Sequence, residues 1–174
     1  MDDTVAFGSR TFFAMLALLS LARGADFLST WIATPNLVLE GNPLARLLGW
    51  KWGAAVNLGL CAAFAAWPFG AIFVSTTSLL VAARNFQSAW LMRSLGEEAY
   101  RQWYVERLLE TNIGLYLFCL AGQTLLTAAV GGALVVFYNG MLIPLAIGMG
   151  VLGYAIAVTF FTLLSVWRIR RSAG

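Results

Sequence analysis

Five stretches of this chain, at residues 11–33, 52–67, 70–92, 112–137 and 141–167, run almost without charge. Only a protein core or a lipid bilayer accommodates so many apolar stretches. A bilayer core of ~30 Å takes about 20 apolar residues per helix. The second stretch is short, and the first is interrupted by Arg23 and Asp26. Composition decides between the two solvents. The 174 residues are 60% hydrophobic and 11% charged, where ordinary globular domains carry about 25% charge. The sequence therefore predicts an all-α, polytopic membrane helical bundle of about five transmembrane helices, forming one transmembrane domain over residues 1–174.

Charge placement sets the expected orientation. The turns at Pro68 and at Asn139-Gly140 are tight and uncharged, so runs two and three, and runs four and five, read as antiparallel hairpins. Arg46, Lys51, Arg93, Arg101, Arg107, Arg168, Arg170 and Arg171 then fall on one side. Arg10 falls on the other, beside Asp2 and Asp3. Positive charge stays inside, which predicts a multi-pass cell-membrane protein with its N-terminus outside and its C-terminus in the cytoplasm. Trp31, Trp50, Trp52, Trp90, Trp103 and Trp167 cluster at the same expected inner interface. If the interrupted first run fails to cross, only the N-terminus changes sides. The net charge of +3 is thus explained by membrane lipids as partners, with no call for nucleic acid. The acidic start Met1-Asp2-Asp3-Thr4 is unlike the positive n-region of a secretory signal, so the first run is expected to stay as a helix.

Two segments on the basic side carry helix signals. Asn42-Pro43 reads as a cap followed by Pro at the first helical position, with Leu44, Leu47 and Leu48 as an apolar face. Ser94-Leu95-Gly96-Glu97 reads as a capping box that opens a helix through Glu110. Leu95, Ala99, Trp103 and Leu108 share one face of it, so it is expected to be a short amphipathic interfacial helix between transmembrane helices three and four. Small residues at Ala55, Gly59 and Ala63, and at Gly153 and Ala157, have the four-residue spacing of closely packed membrane helices. Packing within one chain is the favoured reading of them, ahead of a homo-oligomer contact. Cys61 and Cys119 lie in apolar runs without a CxxC pattern and read as reduced thiols.

The informative residues are the polar ones inside the runs. An ionised side chain at the centre of a membrane helix costs roughly 2.5–3.5 kcal/mol on insertion scales and usually has a partner. Arg23, Asp26 and Arg84 are of this kind. Arg23, Asp26 and Thr30 share one helix face. At 1.5 Å per residue, Asp26 and Arg84 each lie about 12 Å from the inner end of their helices, and Asn57 about 8–9 Å. Asp26 and Arg84 are the expected inter-helix pair, with Arg23 as a local competitor for the carboxylate. Asn85 follows Arg84, while Glu40 and Asn42 lie on the loop beneath. Arg23, Asp26, Thr30, Glu40, Asn42, Asn57, Arg84 and Asn85 form the candidate ion- or ligand-binding set. The plain alternative is that buried pairs and amides only fix helix register. The arginines could also hold a lipid phosphate, which Arg binds bidentately.

Catalytic signatures are sparse. With no histidine, His-ligated haem, His-rich zinc sites and imidazole bases are excluded. Intramembrane serine proteolysis lacks its GxSG serine, and intramembrane aspartyl proteolysis lacks its second aspartate. Glu97-Glu98-Ala99-Tyr100-Arg101 is similar to the EExxxR signature of the prenyl-protein protease family, but its Arg comes one residue early and the required histidines are missing. No cofactor and no metal site is expected, since Asp26 and Glu40 alone make a thin ligand set.

Asp26-Phe27-Leu28-Ser29-Thr30, then Glu40-Gly41-Asn42-Pro43 and a later Asn85, resembles a family of small, uncharacterised bacterial and archaeal membrane proteins. In that family a D-x-x-x-T segment ends the first helix and an E-x-N-P turn follows. The lysine expected within the second helix stands at its start here, as Lys51. The resemblance covers about the first half of the chain, implies that Asp26, Thr30, Glu40, Asn42 and Asn85 belong together, and brings no reaction with it. The expected function is to bind or conduct a small ion or polar ligand through the polar cluster. Two rivals stand beside it: a lipid-active enzyme using Asp26 or Glu40 with Arg23 and Arg84, and a structural subunit of a larger membrane complex. An enzyme is the less favoured class.

Overall fold

A computed structural model describes residues 4–173. Asp2 and Asp3, expected beside Arg10, lie outside the described residues. The helices begin where the sequence supplies partners for their first N–H groups. Ser9 Oγ accepts from the Phe12 N–H at 3.1 Å and opens α1, Arg10–Ala33. Asn42 Oδ1 accepts from the Leu44 N–H at 3.0 Å, and Pro43 follows as the first residue of α2, Pro43–Phe64. Pro68 opens α3, Pro68–Leu95. One residue, Gly96, separates it from α4, Glu97–Glu110. Asn112 Oδ1 accepts from the Gly114 N–H at 2.8 Å and opens α5, Ile113–Val136. Asn139 and Gly140, both at positive φ, turn the chain into α6, Leu142–Ala173. All-helical architecture, as expected, holds for the described residues.

Two local expectations change. The short helix at Asn42-Pro43 is present, but it belongs to α2, which kinks at Gly49 (φ 62°, ψ −170°). Beyond the kink α2 is straight over residues 50–64, a length of about 22 Å. The capping box does not form. Ser94 is still inside α3, its hydroxyl donating to the Leu91 carbonyl at 3.1 Å. The break comes at Gly96 (φ 81°), and no side chain caps α4.

The packing follows from small residues. α1 lies along α3, α3 along α6, and α6 along α5. At the α5–α6 contact Gly131 and Gly148 face each other so closely that a Cβ on either would come within 3 Å of the other's carbonyl oxygen. Gly150 presses on the α3 backbone at Phe73, and Thr77 Oγ1 donates to the Gly150 carbonyl at 3.0 Å. Gly153 meets the Phe73 ring. That half of the small-residue expectation holds. Ala55, Gly59 and Ala63 instead face outward. α2 turns Gly53, Asn57 and Cys61 toward its neighbours, and residues two positions away point in the opposite direction.

Helix directions are fixed at both ends. The Val5 N–H donates to the Ala66 carbonyl at 2.8 Å, while Trp50 Nε1 donates to the Pro35 carbonyl at 2.8 Å. α2 therefore runs antiparallel to α1 over its length. At the Pro35 end the bundle also carries α4 and the close of α6, tied by Arg170 Nη2 to the carbonyls of Leu108 and Thr111 at 3.1 and 2.9 Å. This is the basic end of the molecule. α1, α3, α5 and α6 are each long and apolar enough to cross a membrane; α2 falls short of that standard. Leu125, Leu126, Val130, Ile156 and Phe160 are exposed along the outer faces of α5 and α6. Continuous apolar surface of that kind suits lipid rather than water.

Candidate functional site

Arg23 organises the polar cluster. Its Nε donates to Asn57 Oδ1 on α2 at 2.6 Å, and its Nη1 donates to Asp26 Oδ2 at 2.9 Å and to Ser78 Oγ on α3 at 3.0 Å. Asn57 is held from its other side, Nδ2 donating to the Gly53 carbonyl at 2.7 Å. One guanidinium thus joins three helices, which its planar fork of five donors allows. The ion pair is half-buried, with side-chain exposures of 29% for Arg23 and 16% for Asp26.

Below this layer, toward the basic end, Asn85 Nδ2 reaches both Ser29 Oγ and Thr30 Oγ1 at 3.3 Å. Ser29 is fully buried, and its hydroxyl donates to the Asp26 carbonyl at 2.8 Å. Asp26, Thr30 and Thr34 recur at four-residue spacing, so the polar stripe continues to the end of α1. There Glu97 closes it. Its carboxylate accepts from Thr34 Oγ1 at 2.7 Å, from the Asn36 N–H at 2.9 Å, from Asn36 Nδ2 at 3.0 Å and from the Val38 N–H at 3.1 Å. Burial pushes the Glu97 carboxyl up, but these four donors outweigh it and hold it below the ordinary value of 4.5. A cavity of about 580 Å³ adjoins this latch, lined by Ala33, Asn36, Val38, Arg93 and Glu97. A second, of about 350 Å³, lies between Asn36, Arg46, Glu98 and Arg101.

The expected site residues thus separate into groups. Arg23, Asp26 and Asn57 meet directly, and Thr30 and Asn85 meet one turn below. Glu40 is near enough to act electrostatically on Asp26, and its Oε1 accepts from the Asn42 N–H at 2.7 Å. Asn42 itself caps α2, and among the described residues no hydrogen bond joins it to Arg23, Asp26, Asn57 or Asn85. The Asp26–Arg84 pair is absent, because the local competitor Arg23 takes the carboxylate. Arg84 makes no hydrogen bond or ion pair among the described residues, and its Nη1 is buried without a partner.

Ser78, Ser29, Thr34 and Glu97 were not singled out as site residues. Ser75, Ser78, Ala82, Asn85 and Ala89 stand at three- and four-residue spacing on the buried face of α3, and that run of small and polar residues was the available signal for Ser78. Among the described residues no group of three or more Cys, Asp or Glu gathers. Comparisons with protein-family models, with curated proteins and with solved structures return no match. The site has to be read from its own chemistry.

Proposed function

We propose that this chain is a membrane protein of five spans that binds or conducts a small ion or polar ligand through the Arg23–Asp26–Asn57–Ser78 cluster. The observation that carries the reading is the unequal use of the ion pair. Asp26 engages Arg23 through Oδ2 alone; Oδ1 has no hydrogen-bond partner among the described residues and is not a fully buried atom. Fixing helix register needs only the contacts through Arg23, which Asp26 Oδ2, Asn57 and Ser78 already supply. A carboxylate with one open oxygen, steadied by a cation on the other, is arranged to take a proton, an ion or a polar group. The hydroxyls and amide of Ser29, Thr30 and Asn85 extend that polar surface toward the basic end, which in this reading faces the cytoplasm. α4 then lies in the headgroup layer, with the exposed Trp103 as its anchor.

The test is transport and binding with purified protein in vesicles. With a pH-sensitive dye inside and an imposed diffusion potential, the wild-type chain should move protons, sodium or chloride above the rate of empty vesicles. Asp26→Asn should lower that rate at least tenfold while the protein still folds. Absence of flux, together with no change in melting temperature with any of these ions, would reduce the cluster to a device that fixes helix register.

A further inference from the structure

Two arginines, Arg23 and Arg84, lie inside the long apolar runs of the bundle, and their surroundings differ. Arg23 is matched by Asp26. Arg84, on the next helix, is not matched: no carboxylate reaches it among the described residues, and its Nη1 is enclosed without an acceptor. A guanidinium cannot shed its proton at any accessible pH, and an uncompensated charge in the apolar layer is costly. The groups near it are donors as well as acceptors. Arg84 acts electrostatically on Tyr104 of α4, whose hydroxyl lies 3.2 Å from the Tyr116 hydroxyl of α5. Tyr100 stacks on the Tyr104 ring, the planes 11° apart. Burial, followed by the bond to Tyr116, pushes the Tyr104 hydroxyl well above its ordinary value, so Tyr104 keeps its proton as a donor. A planar fork of N–H donors, with the Tyr104 hydroxyl within electrostatic reach and Tyr116 bonded to it, offers donors for the oxygens of a phosphate.

We infer that Arg84, with Tyr104 and Tyr116, binds a phosphate group entering between α3, α4 and α5 from the basic end. This site is separate from the Arg23–Asp26 cluster and independent of the function assigned to it. The phosphate belongs either to an anionic lipid headgroup or to a soluble phosphate, and one experiment distinguishes them.

Protein stripped of lipid by detergent exchange is titrated with phosphatidylglycerol in one arm and inorganic phosphate in the other. Bound lipid is read by mass spectrometry of the intact complex, and melting temperature is followed in both arms. A melting temperature raised by phosphatidylglycerol, with one retained lipid, assigns the headgroup; a rise with inorganic phosphate alone assigns the soluble anion. In either case Arg84→Gln should weaken binding at least tenfold, and Arg84→Lys and Tyr104→Phe severalfold. If Arg84→Gln does not fold, the other two variants carry the comparison. Arg10→Gln, at the opposite end of the bundle, should leave the phosphate response unchanged. No response of the wild type to either probe, or equal binding by the Arg84 and Tyr104 variants, overturns the assignment.

Discussion

Arg23 places two of its nitrogens on three helices, and each contact depends on the carboxylate that neutralises it. Removing one member of a buried pair typically costs ~3–5 kcal/mol. Arg23 is 29% exposed, so solvent screens part of that, and Asp26→Asn or Arg23→Gln should each destabilise by roughly 1–3 kcal/mol. In a double-mutant cycle read by unfolding in detergent, the two should couple by about 1 kcal/mol or more, whereas Asp26 and Arg84 should add within ~0.5 kcal/mol. Coupling of Asp26 with Arg84 instead would mean that the carboxylate has a different partner in solution. Much of this residue-scale pattern was legible in the sequence. Charges and amides in apolar runs have to be compensated, which brought Arg23, Asp26, Asn57 and Asn85 forward. What depth could not give was azimuth. Arg84 and Asn85 differ by about 100° around α3, so Asn85 faces α1 while Arg84 turns toward α4. Equal depth with Asp26 was not enough to make a pair.

At the scale of elements, two glycines place the polar parts. Gly49 (φ 62°, ψ −170°) and Gly96 (φ 81°, ψ 151°) adopt backbone open almost only to glycine. Gly49→Ala should cost ~1–3 kcal/mol, whereas Gly59→Ala, in open space on the same helix, should be within ~0.5 kcal/mol of wild type. Equal effects in a detergent unfolding assay would remove the kink from this account. Gly96 also explains why the capping box misled. The Ser-x-x-Glu spacing is present, but the break falls between the two residues and frees Glu97 to latch the loop after α1. The sign of its pH dependence follows from its lowered value. A depressed carboxyl contributes stability that is complete above its unfolded value of 4.5 and is lost as pH falls through the lower folded value. The melting-temperature difference between wild type and Glu97→Gln should therefore be constant from pH 7 down to about 4.5 and shrink below it. A difference that does not change between pH 7 and 3 would mean that the latch is not held by the ionised carboxylate.

The molecule as a whole is a row of α1, α3, α6 and α5 with α2 leaning on its side, and most of its basic residues gather at one end, Arg10 standing at the other. The long apolar runs made helices α1, α3, α5 and α6 legible, since length and hydropathy alone define them. α2 was less so, because its start is charged, it kinks, and its straight part covers only about 22 Å of a ~30 Å apolar layer. Its direction still matters for topology. The Val5–Ala66 and Trp50–Pro35 contacts hold its two ends against opposite ends of α1, so in the five-span proposal α1 and α2 form one crossing hairpin. A short helix can cross where the bilayer thins or where flanking aromatics such as Trp67 reach the headgroups. Single cysteines at exposed positions, in a background where Cys61 and Cys119 are replaced, test this with a membrane-impermeant maleimide on intact cells. Ala6→Cys and Asn139→Cys should label from outside, and Gln102→Cys and Ser172→Cys only after the membrane is opened. The positive charge at the Gln102 and Ser172 end is the basis of that expectation. Labelling of Asn139→Cys with protection of Ala6→Cys would leave the N-terminus inside and reduce the crossing to four helices, with α1 and α2 unable to form the hairpin that carries Arg23, Asp26 and Asn57 across the bilayer.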